Sequence, residues 1–169
     1  LRVDNSIAQA LTNSLVHMVR NSVDHGIEDA QTRGNQGKPA TGQVRVSCLE
    51  KGENVHIEIS DDGGGLDSEK LKKKCLEKGL RTAEELEQMD SQRALELIFE
   101  PGFSTAQQVT DISGRGVGMD MVRSSVNALG GQVHIQSELT KGTKFVLVLP
   151  VPKSVLIIRA LLTRCGGEV

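Results

Sequence analysis

The chain has few side chains on which nucleic acid bases could stack. Its 169 residues include no tryptophan, no tyrosine and only three phenylalanines, and aromatic side chains form the usual platforms for single-stranded nucleic acid. The 20 lysines and arginines are spread along the chain and are outnumbered by 22 acidic residues, so that the formal net charge is −2. Because no basic stripe is present, we expect no nucleic acid partner.

Cysteines and long apolar runs are also scarce. Cys48, Cys75 and Cys165 are odd in number and far apart, which argues against a disulfide framework or a zinc site and suits a reducing cytosol. The apolar run "VLIIRALL" is interrupted by Arg159 and is too short to span a bilayer. No N-terminal segment has the succession of charged, apolar and small residues that is typical of a signal peptide. We expect a cytoplasmic protein without direct membrane insertion.

The hydrophobic pattern predicts helices and strands in an order that indicates an α+β fold. Apolar residues at steps of three and four, or alternating with polar ones, mark these elements. The predicted helices cover residues 5–25, 68–78, 82–100 (with a break) and 119–129, and the predicted strands cover residues 43–49, 54–60, 132–137 and 143–150. This order predicts a two-layer α/β sandwich, with helices on one face of a mixed, mostly antiparallel sheet.

Three short segments carry residues that could do chemistry. On the first helix, His17, Asn21 and Asp24 form a polar stripe of residues that are poor helix formers. This stripe could be an ordinary solvated helix face, or it could be part of a metal site. The amide oxygen of Asn21 is a hard donor that suits Mg²⁺, and His17 could join it.

The second segment is "SDDGGGL", where a predicted strand ends. Asp61 could cap the turn, or it could accept a hydrogen bond from an exocyclic amine while Gly63 and Gly65 let a flat ring approach. The third segment is "SGRGVGMDMV", with glycines at 114, 116 and 118 before a helix. It matches neither the dinucleotide fingerprint nor the P-loop, and it suits phosphate binding or a flexible loop with a helix cap.

Five segments in order resemble the GHKL family of ATP-binding domains, most closely those of CheA-type chemotaxis histidine kinases. They match the N box, the first glycine box, the F box, the second glycine box and the terminal Gly-Thr of that family: "HMVRNSVDHG", "DDGGGL", "PGFST", "SGRGVGMDMV" and "KGT". The resemblance covers nearly all of residues 1–150. It implies the Bergerat fold with a mobile lid over ATP and Mg²⁺.

The resemblance also implies roles for individual residues. Asp61, which is followed by the glycines at 63 and 65, is similar to the carboxylate that binds the adenine amino group, and Thr143 to a support of the adenine end. Asn21 is similar to the Mg²⁺ ligand, with His17 beside the metal and the phosphates, and these two are the candidate catalytic residues. The remaining cofactor-binding candidates, which lie on the N box, near the phosphates or in the lid, are Asp24, His25, Lys70, Ser104, Gly114, Gly116 and Gly118. Phe103 would pack the lid against the body, unless it is an ordinary core residue.

His17 distinguishes kinase from hydrolase within the family. The hydrolases carry Glu four residues before the N-box Asn, where it activates water, and here that position is His17. A neutral imidazole acceptor needs no such base, because it already offers a lone pair. The resemblance therefore implies a protein-histidine kinase that transfers the γ-phosphoryl group of Mg-ATP. The alternatives are a protein serine kinase of the anti-sigma type, an ATPase, and a non-catalytic nucleotide sensor.

The chain lacks the acceptor motif H-E-x-x-[TN]-P, so the resemblance implies an acceptor histidine on a separate phosphotransfer domain that is supplied in trans. It divides the chain into a catalytic domain at residues 1–150 and, at residues 151–169, a linker with the first strand of a truncated regulatory, CheW-like domain. That regulatory domain would contact the coupling protein and the chemoreceptors, and a response regulator would act downstream. We expect the full protein to be a homodimer and the isolated chain to be a monomer.

Overall fold

The computed structural model describes the backbone of residues 5–103 and 118–150, and within those ranges the side chains from Leu11 onward. Six α-helices, a π-helical turn, a 3₁₀ turn and four strands make up this part. In chain order they are α1 (Asn5–Asn21), the π turn (Ser22–Gly26), α2 (Ala30–Asn35), β1 (Val44–Lys51), β2 (Asn54–Asp61), α3 (Ser68–Glu77), α4 (Ala83–Glu87), α5 (Ser91–Leu95), the 3₁₀ turn (Glu96–Phe99), α6 (Met119–Ala128), β3 (Gln132–Glu138) and β4 (Gly142–Pro150).

The described strands form one antiparallel sheet in the order β1-β2-β4-β3. Its register places Ile59, Phe145 and Ile135 side by side on one face, and all three are buried. The ring of Phe99 meets Phe145 edge to face, with ring centroids 6.4 Å apart. The helical layer therefore covers this face, which confirms the predicted α+β sandwich. Within the described residues the sheet is wholly antiparallel rather than mixed.

The opposite face of the sheet is less buried and carries more polar residues. Glu58 and Lys144 lie on this face and form an ion pair with 2.9 Å between Oε2 and Nζ. The alternation between buried and open positions is clearest in β3, whose residues are alternately exposed and buried over Gln132–Gln136. This period of two is what a sheet covered on only one face requires.

Local sequence explains where most helices begin. Asp29, Asp67 and Asp90 each accept backbone N–H groups of the helix that follows, and Thr82 with Glu85 forms a reciprocal capping box. These side chains satisfy donors that a helix leaves unpaired at its start. Helix α2 lies in a Gly-rich segment for which the hydrophobic pattern predicts no helix, and the sequence signal for its start is the cap at Asp29.

Helix α1 packs one side against the body through residues at helical spacing. Leu11, Ser14, Met18 and Ser22 are all buried. After Asn21 the helix widens into the π turn, where the N–H of Ile27 donates to the carbonyl of Ser22 over 2.8 Å. The predicted helix over residues 5–25 is thus confirmed, although its last turn is wider than an α-helix.

No helix among the described residues is both long enough and apolar enough to cross a bilayer. The described cysteines, Cys48 and Cys75, are free. Phe103 is 3% exposed and belongs to the core, with the Lys74 ammonium 5.0 Å from its ring centroid. Phe103 is thus a core residue, and its predicted contact with the lid concerns residues outside the described ones.

Candidate functional site

Asp61 is the centre of the candidate site, at the end of β2 where the chain leaves the sheet. Its carboxylate accepts three hydrogen bonds from three separate parts of the chain. The Ser22 hydroxyl donates to Oδ2 over 2.8 Å, and the N–H groups of Gly63 and Thr143 donate to Oδ1 over 3.1 Å each. A carboxylate has about four lone-pair positions, so that one remains for a further donor.

Glycine backbone surrounds this carboxylate closely. A Cβ on Gly63 would overlap the carbonyl oxygen of Gly26 and would lie 3.0 Å from Oδ1 of Asp61. The N–H of Gly64 donates to that same carbonyl oxygen over 2.9 Å. The backbone of the π turn thus contacts the backbone of residues 62–65, which we call the glycine loop. A side chain at residue 63 would prevent this close approach.

Thr143 holds the sheet side of the site. Its side chain is buried, and its hydroxyl lies 3.0 Å from the hydroxyl of Ser137 on β3. Ser137 Oγ in turn accepts from the N–H of Leu66, 2.8 Å away. The predicted adenine-end residue therefore sits in a hydrogen-bonded row that runs from Asp61 across β4 to β3 and back to the glycine loop. Gly65, also predicted here, has a φ of 73° and turns the chain against the backbone of Glu138.

His17 and Asn21 form a pair one helical turn apart. Nδ2 of Asn21 lies 3.1 Å from Nε2 of His17 and 3.4 Å from the sulfur of Met119 on α6. Because an amide nitrogen only donates, Nε2 of His17 is the acceptor and the ring proton lies on Nδ1. Burial lowers the pKa of His17 and the charge of Arg20 lowers it further, against an opposing contribution from Asp120. The imidazole is therefore neutral at pH 7.

The chemistry of this pair suits a divalent cation through Asn21. Both of its amide protons point at protein acceptors, which leaves Oδ1 as the free oxygen, and no described residue is shown bonded to it. Among the described side chains no group of three or more His, Cys, Asp or Glu is placed to hold a metal. Such a site fits Mg²⁺, which is commonly held by one or two protein oxygens together with substrate phosphates.

Ser22 links the two halves of the site. It follows Asn21 directly, so its bond to Asp61 ties the end of α1 to the end of β2. Sequence reasoning missed Ser22, although it continues the buried row of α1 and is a small polar residue there. A polar side chain on a buried helix face usually has a hydrogen-bond partner, and that was the available signal.

The other predicted residues are more scattered. Asp24 and His25 are exposed in the π turn. Lys70 lies on α3 with its side chain 85% exposed, and its ion pair is with Asp67 at 3.8 Å. Within the described residues no hydrogen bond or ion pair joins these three side chains to Asn21 or Asp61.

The predicted lid lies largely outside the described residues. Ser104, Gly114 and Gly116 lie outside the described residues. Residues 151–169, with the predicted linker, also lie outside them. Gly118 is described, and it precedes α6 without a side-chain cap. Gly118 therefore offers no side-chain acceptor to the first N–H groups of α6, and N–H groups at the start of a helix commonly receive phosphate.

Comparison with known proteins identifies the family. Residues 10–153 match the family described as "Histidine kinase-, DNA gyrase B-, and HSP90-like ATPase". The chain is 44% identical over 154 residues to a chemotaxis protein CheA of Bacillus subtilis, and the aligned residues make up 91% of the chain and 23% of that protein. It is 45% identical over 166 residues to the sensor histidine kinase CheAY of Helicobacter pylori, covering 98% of the chain and 20% of the relative.

A gliding motility regulatory protein of Myxococcus xanthus is 42% identical over 167 residues, covering 99% of the chain and 21% of that protein. The chain thus spans a fifth to a quarter of the length of these relatives. Among solved structures, the blue-light activated histidine kinase EL346 of Erythrobacter litoralis matches 91% of the chain and 33% of its own, with a TM-score of 0.52 at 17% identity, a likeness of fold. The chain therefore belongs to the histidine kinase-, DNA gyrase B- and HSP90-like ATPase family, as its motifs predicted, and within that family to the CheA-type domains.

Proposed function

We propose that the chain is the catalytic domain of a cytoplasmic protein-histidine kinase, which binds Mg-ATP and transfers the γ-phosphoryl group to a histidine on a separate phosphotransfer domain. The observation that carries this proposal is the geometry at Asp61. Three donors fix a carboxylate beside the glycine loop, and one lone-pair position is left for the amino group of adenine. A site built to pair with such a group rejects bases that lack it.

The His17–Asn21 pair supports phosphoryl transfer rather than hydrolysis. Nε2 of His17 accepts from Nδ2 of Asn21 and so leaves Oδ1 as the oxygen for Mg²⁺. When bound, Mg²⁺ would neutralise charge on the phosphates. An incoming neutral imidazole attacks phosphorus with its own lone pair, the bond to the bridging oxygen breaks, and ADP leaves. Because that nucleophile needs no proton removed, the site can act by positioning, and no carboxylate base is needed next to Asn21.

The other domains and partners that we propose are based on the CheA-type relatives. The acceptor domain would belong to the same longer protein and would be reached in trans within a homodimer. Residues 151–169 would lead into a regulatory domain that contacts a coupling protein and chemoreceptors, and a response regulator would take the phosphoryl group. Lys70, His25 and Ser104 remain predicted contacts of the phosphates, Asp24 remains a predicted cofactor-binding residue, and Gly114, Gly116 and Gly118 remain predicted residues of the lid.

Two measurements test the proposal. Titration calorimetry of the 169-residue chain with ATP, with and without Mg²⁺, should show that Asp61→Asn weakens binding in both conditions. Asn21→Ala should weaken binding only when Mg²⁺ is present. Each change removes a charged or metal-linked contact, and we expect losses of about tenfold or more. Unchanged ATP affinity in both variants would refute the assignment.

The second measurement identifies the acceptor. The chain is incubated with γ-labelled ATP and a separately expressed histidine phosphotransfer domain, and the label on that domain is treated with acid and with base. Acid-labile, base-stable label is expected for phosphohistidine. Acid-stable label would favour a serine kinase, release of free phosphate would favour an ATPase, and binding without either would favour a nucleotide sensor.

A further inference from the structure

A cluster of four charged residues contacts the glycine loop, and none of its members is assigned to the nucleotide. It consists of Glu28, Arg33, Lys38 and Asp62, and we call it the charge cluster. The Arg33 side chain is 0% exposed, and Glu28 is 12% exposed. Lys38 is 15% exposed. Two positive and two negative groups make the cluster neutral, which is the condition under which charges tolerate burial.

The two cations bind backbone as well as carboxylates. Nη2 of Arg33 is 2.8 Å from Oδ2 of Asp62, and Nη1 is 3.1 Å from Oε2 of Glu28 and 3.2 Å from the carbonyl oxygen of Asp62. Nζ of Lys38 donates to Oε1 of Glu28 over 2.8 Å, to the carbonyl of Asp62 over 2.9 Å and to the carbonyl of Gly63 over 2.7 Å. The cations thus hold two successive loop carbonyls.

The neighbouring cations and N–H groups lower the pKa values of both carboxyls. Burial by itself would raise the pKa of Glu28, but the hydrogen bond from Lys38 and the neighbouring positive charges bring its pKa below the usual value. For Asp62 the effect of burial is outweighed in the same way by the N–H of Gln43 and by Arg33, so its pKa is also lowered. Both carboxyls are therefore ionised at neutral pH and keep the cluster in its neutral, paired state.

The held carbonyls orient the N–H groups that face the site. A trans peptide is planar, and its C=O and N–H point in opposite directions. The Asp62 carbonyl points at Lys38 and Arg33, so that the N–H of Gly63, in the same peptide, points the other way and meets Oδ1 of Asp61. The Gly63 carbonyl points at Lys38, and the N–H of Gly64 meets the carbonyl of Gly26. The described peptides contain no cis bond.

Stability alone is a weak reason for such a cluster. A buried ion-pair group can often be replaced by apolar side chains of similar volume without loss of stability. Apolar side chains could fill the same space, but they could not hold two carbonyls in a fixed direction. The particular effect of Arg33 and Lys38 is therefore on the orientation of the peptides at Asp61.

We propose that Lys38 and Arg33 are positioning residues for base recognition: they fix the two peptide units that aim Gly63 N–H at Asp61 and dock the loop on Gly26. The inference rests on the proposed function, in which Asp61 pairs with the amino group of adenine. Neither cation needs to touch the nucleotide. Without them, the N–H of Gly63 is no longer aimed at Asp61, and the carboxylate keeps only two of its three donors.

The test compares ATP with purine riboside 5′-triphosphate, which is the same molecule without the amino group. Both are titrated calorimetrically into the 169-residue chain, and the ratio of the two dissociation constants measures recognition of that group. The wild type should bind ATP about tenfold more tightly than the analogue. Lys38→Met keeps the aliphatic stem and removes the donors, so we expect ATP to bind about tenfold more weakly, with the analogue little affected and a ratio near one.

A matched control is available at Lys78, whose Nζ also donates to two loop carbonyls, those of Gly102 and Phe103. Lys78→Met makes the same substitution at the same kind of contact in another loop, and it should leave the ratio unchanged. Arg33→Lys keeps the charge but loses the planar fork, and it should give an intermediate ratio. Circular dichroism verifies that each variant is folded.

The outcomes separate the inference from its premise. A wild-type chain that binds both triphosphates equally would overturn the proposed role of Asp61 and this inference with it. A wild type that discriminates, together with Lys38→Met and Arg33→Lys variants that discriminate equally well, would overturn the inference alone. Loss of the folded state in both variants would show that the charge cluster serves folding, and it would also overturn the positioning role.

Discussion

A methyl group at Gly63 should disrupt the site from within, and Gly64 provides the control one residue away. A Cβ on Gly63 overlaps the carbonyl oxygen of Gly26 and comes to 3.0 Å from Oδ1 of Asp61, whereas the nearest atom to a Cβ on Gly64 is Oε1 of Glu28 at 3.6 Å. Neither residue has a positive φ. The two Gly→Ala variants therefore differ in available space and not in backbone strain.

The cost of Gly63→Ala can be worked out from the contacts that must open. Non-bonded heavy atoms are comfortable at roughly 3.5–4.0 Å, so the loop must move away from the π turn by about 1 Å or more. That movement breaks the 2.9 Å bond from Gly64 N–H to Gly26 and weakens the 3.1 Å bond from Gly63 N–H to Asp61. A neutral bond contributes about 0.5–1.5 kcal/mol and a bond to a charged group about 1.5–3 kcal/mol. We expect Gly63→Ala to lower the free energy of unfolding by about 2–4 kcal/mol.

Thermal and chemical denaturation followed by circular dichroism measure this loss. For a chain of this length each kcal/mol lowers Tm by about 2–4 °C, and Gly64→Ala should stay within about 0.5 kcal/mol of the wild type. ATP affinity of the Gly63→Ala variant should fall as well, because Asp61 loses a fixed donor. Equal stability and equal ATP affinity in the two variants would refute the close approach of loop and π turn that the whole site depends on.

Three further predictions follow from individual contacts. Ser22→Ala removes the hydroxyl that donates to Asp61; calorimetry should show about tenfold weaker ATP binding, and unchanged affinity would contradict the link. His17→Ala should reduce phosphoryl transfer more than ATP binding, whereas equal losses would mean that His17 only anchors the nucleotide. Because the pKa values of Glu28 and Asp62 are lowered in the folded state, the unfolded chain binds more protons in acid. The contribution of these two carboxylates to the free energy of unfolding should therefore be fully present above their unfolded pKa values, about 4, and should be lost as the pH drops through the lower folded values. Urea midpoints at a series of pH values measure this loss. A midpoint that does not change with pH would count against the ion pairs.

Much of the fold could be predicted from local sequence, because its signals are local. The strands of both hairpins alternate apolar and polar residues, and the structure has them as Val44–Lys51, Asn54–Asp61, Gln132–Glu138 and Gly142–Pro150. Glycines after Glu77 and Ala128 mark the ends of α3 and α6. Helix α2 was missed because its six residues, "AQTRGN", have no apolar face. Its tertiary anchor is Arg33, whose guanidinium is buried against Glu28, five residues earlier, and Asp62, 29 residues later, and a buried arginine leaves no pattern in a sequence.

The site shows the same division between local and distant information. The motifs that resemble the family's boxes predict roles for Asp61, Asn21 and His17, which remain candidate site residues. The partners of these residues come from far along the chain: Ser22 is 39 positions and Thr143 is 82 positions from Asp61, and Met119 is 98 positions from Asn21. Spacing within a motif carries no information about such contacts, so that the folded structure is needed to show that Ser22 bonds to Asp61 and that the charge cluster holds the glycine loop.

The distances along the chain also bear on how binding and stability are coupled. The carboxylate of Asp61 is held by donors from the π turn, the glycine loop and β4, and the loop is in turn held by Lys38 and Arg33. A ligand that binds only this assembled arrangement stabilises every element that contributes to it. ATP should therefore slow hydrogen exchange at the N–H groups of Gly63, Gly64 and Thr143 together, although these belong to different elements. Protection at the glycine loop without protection at Thr143 would show that the loop closes on the nucleotide independently of the sheet.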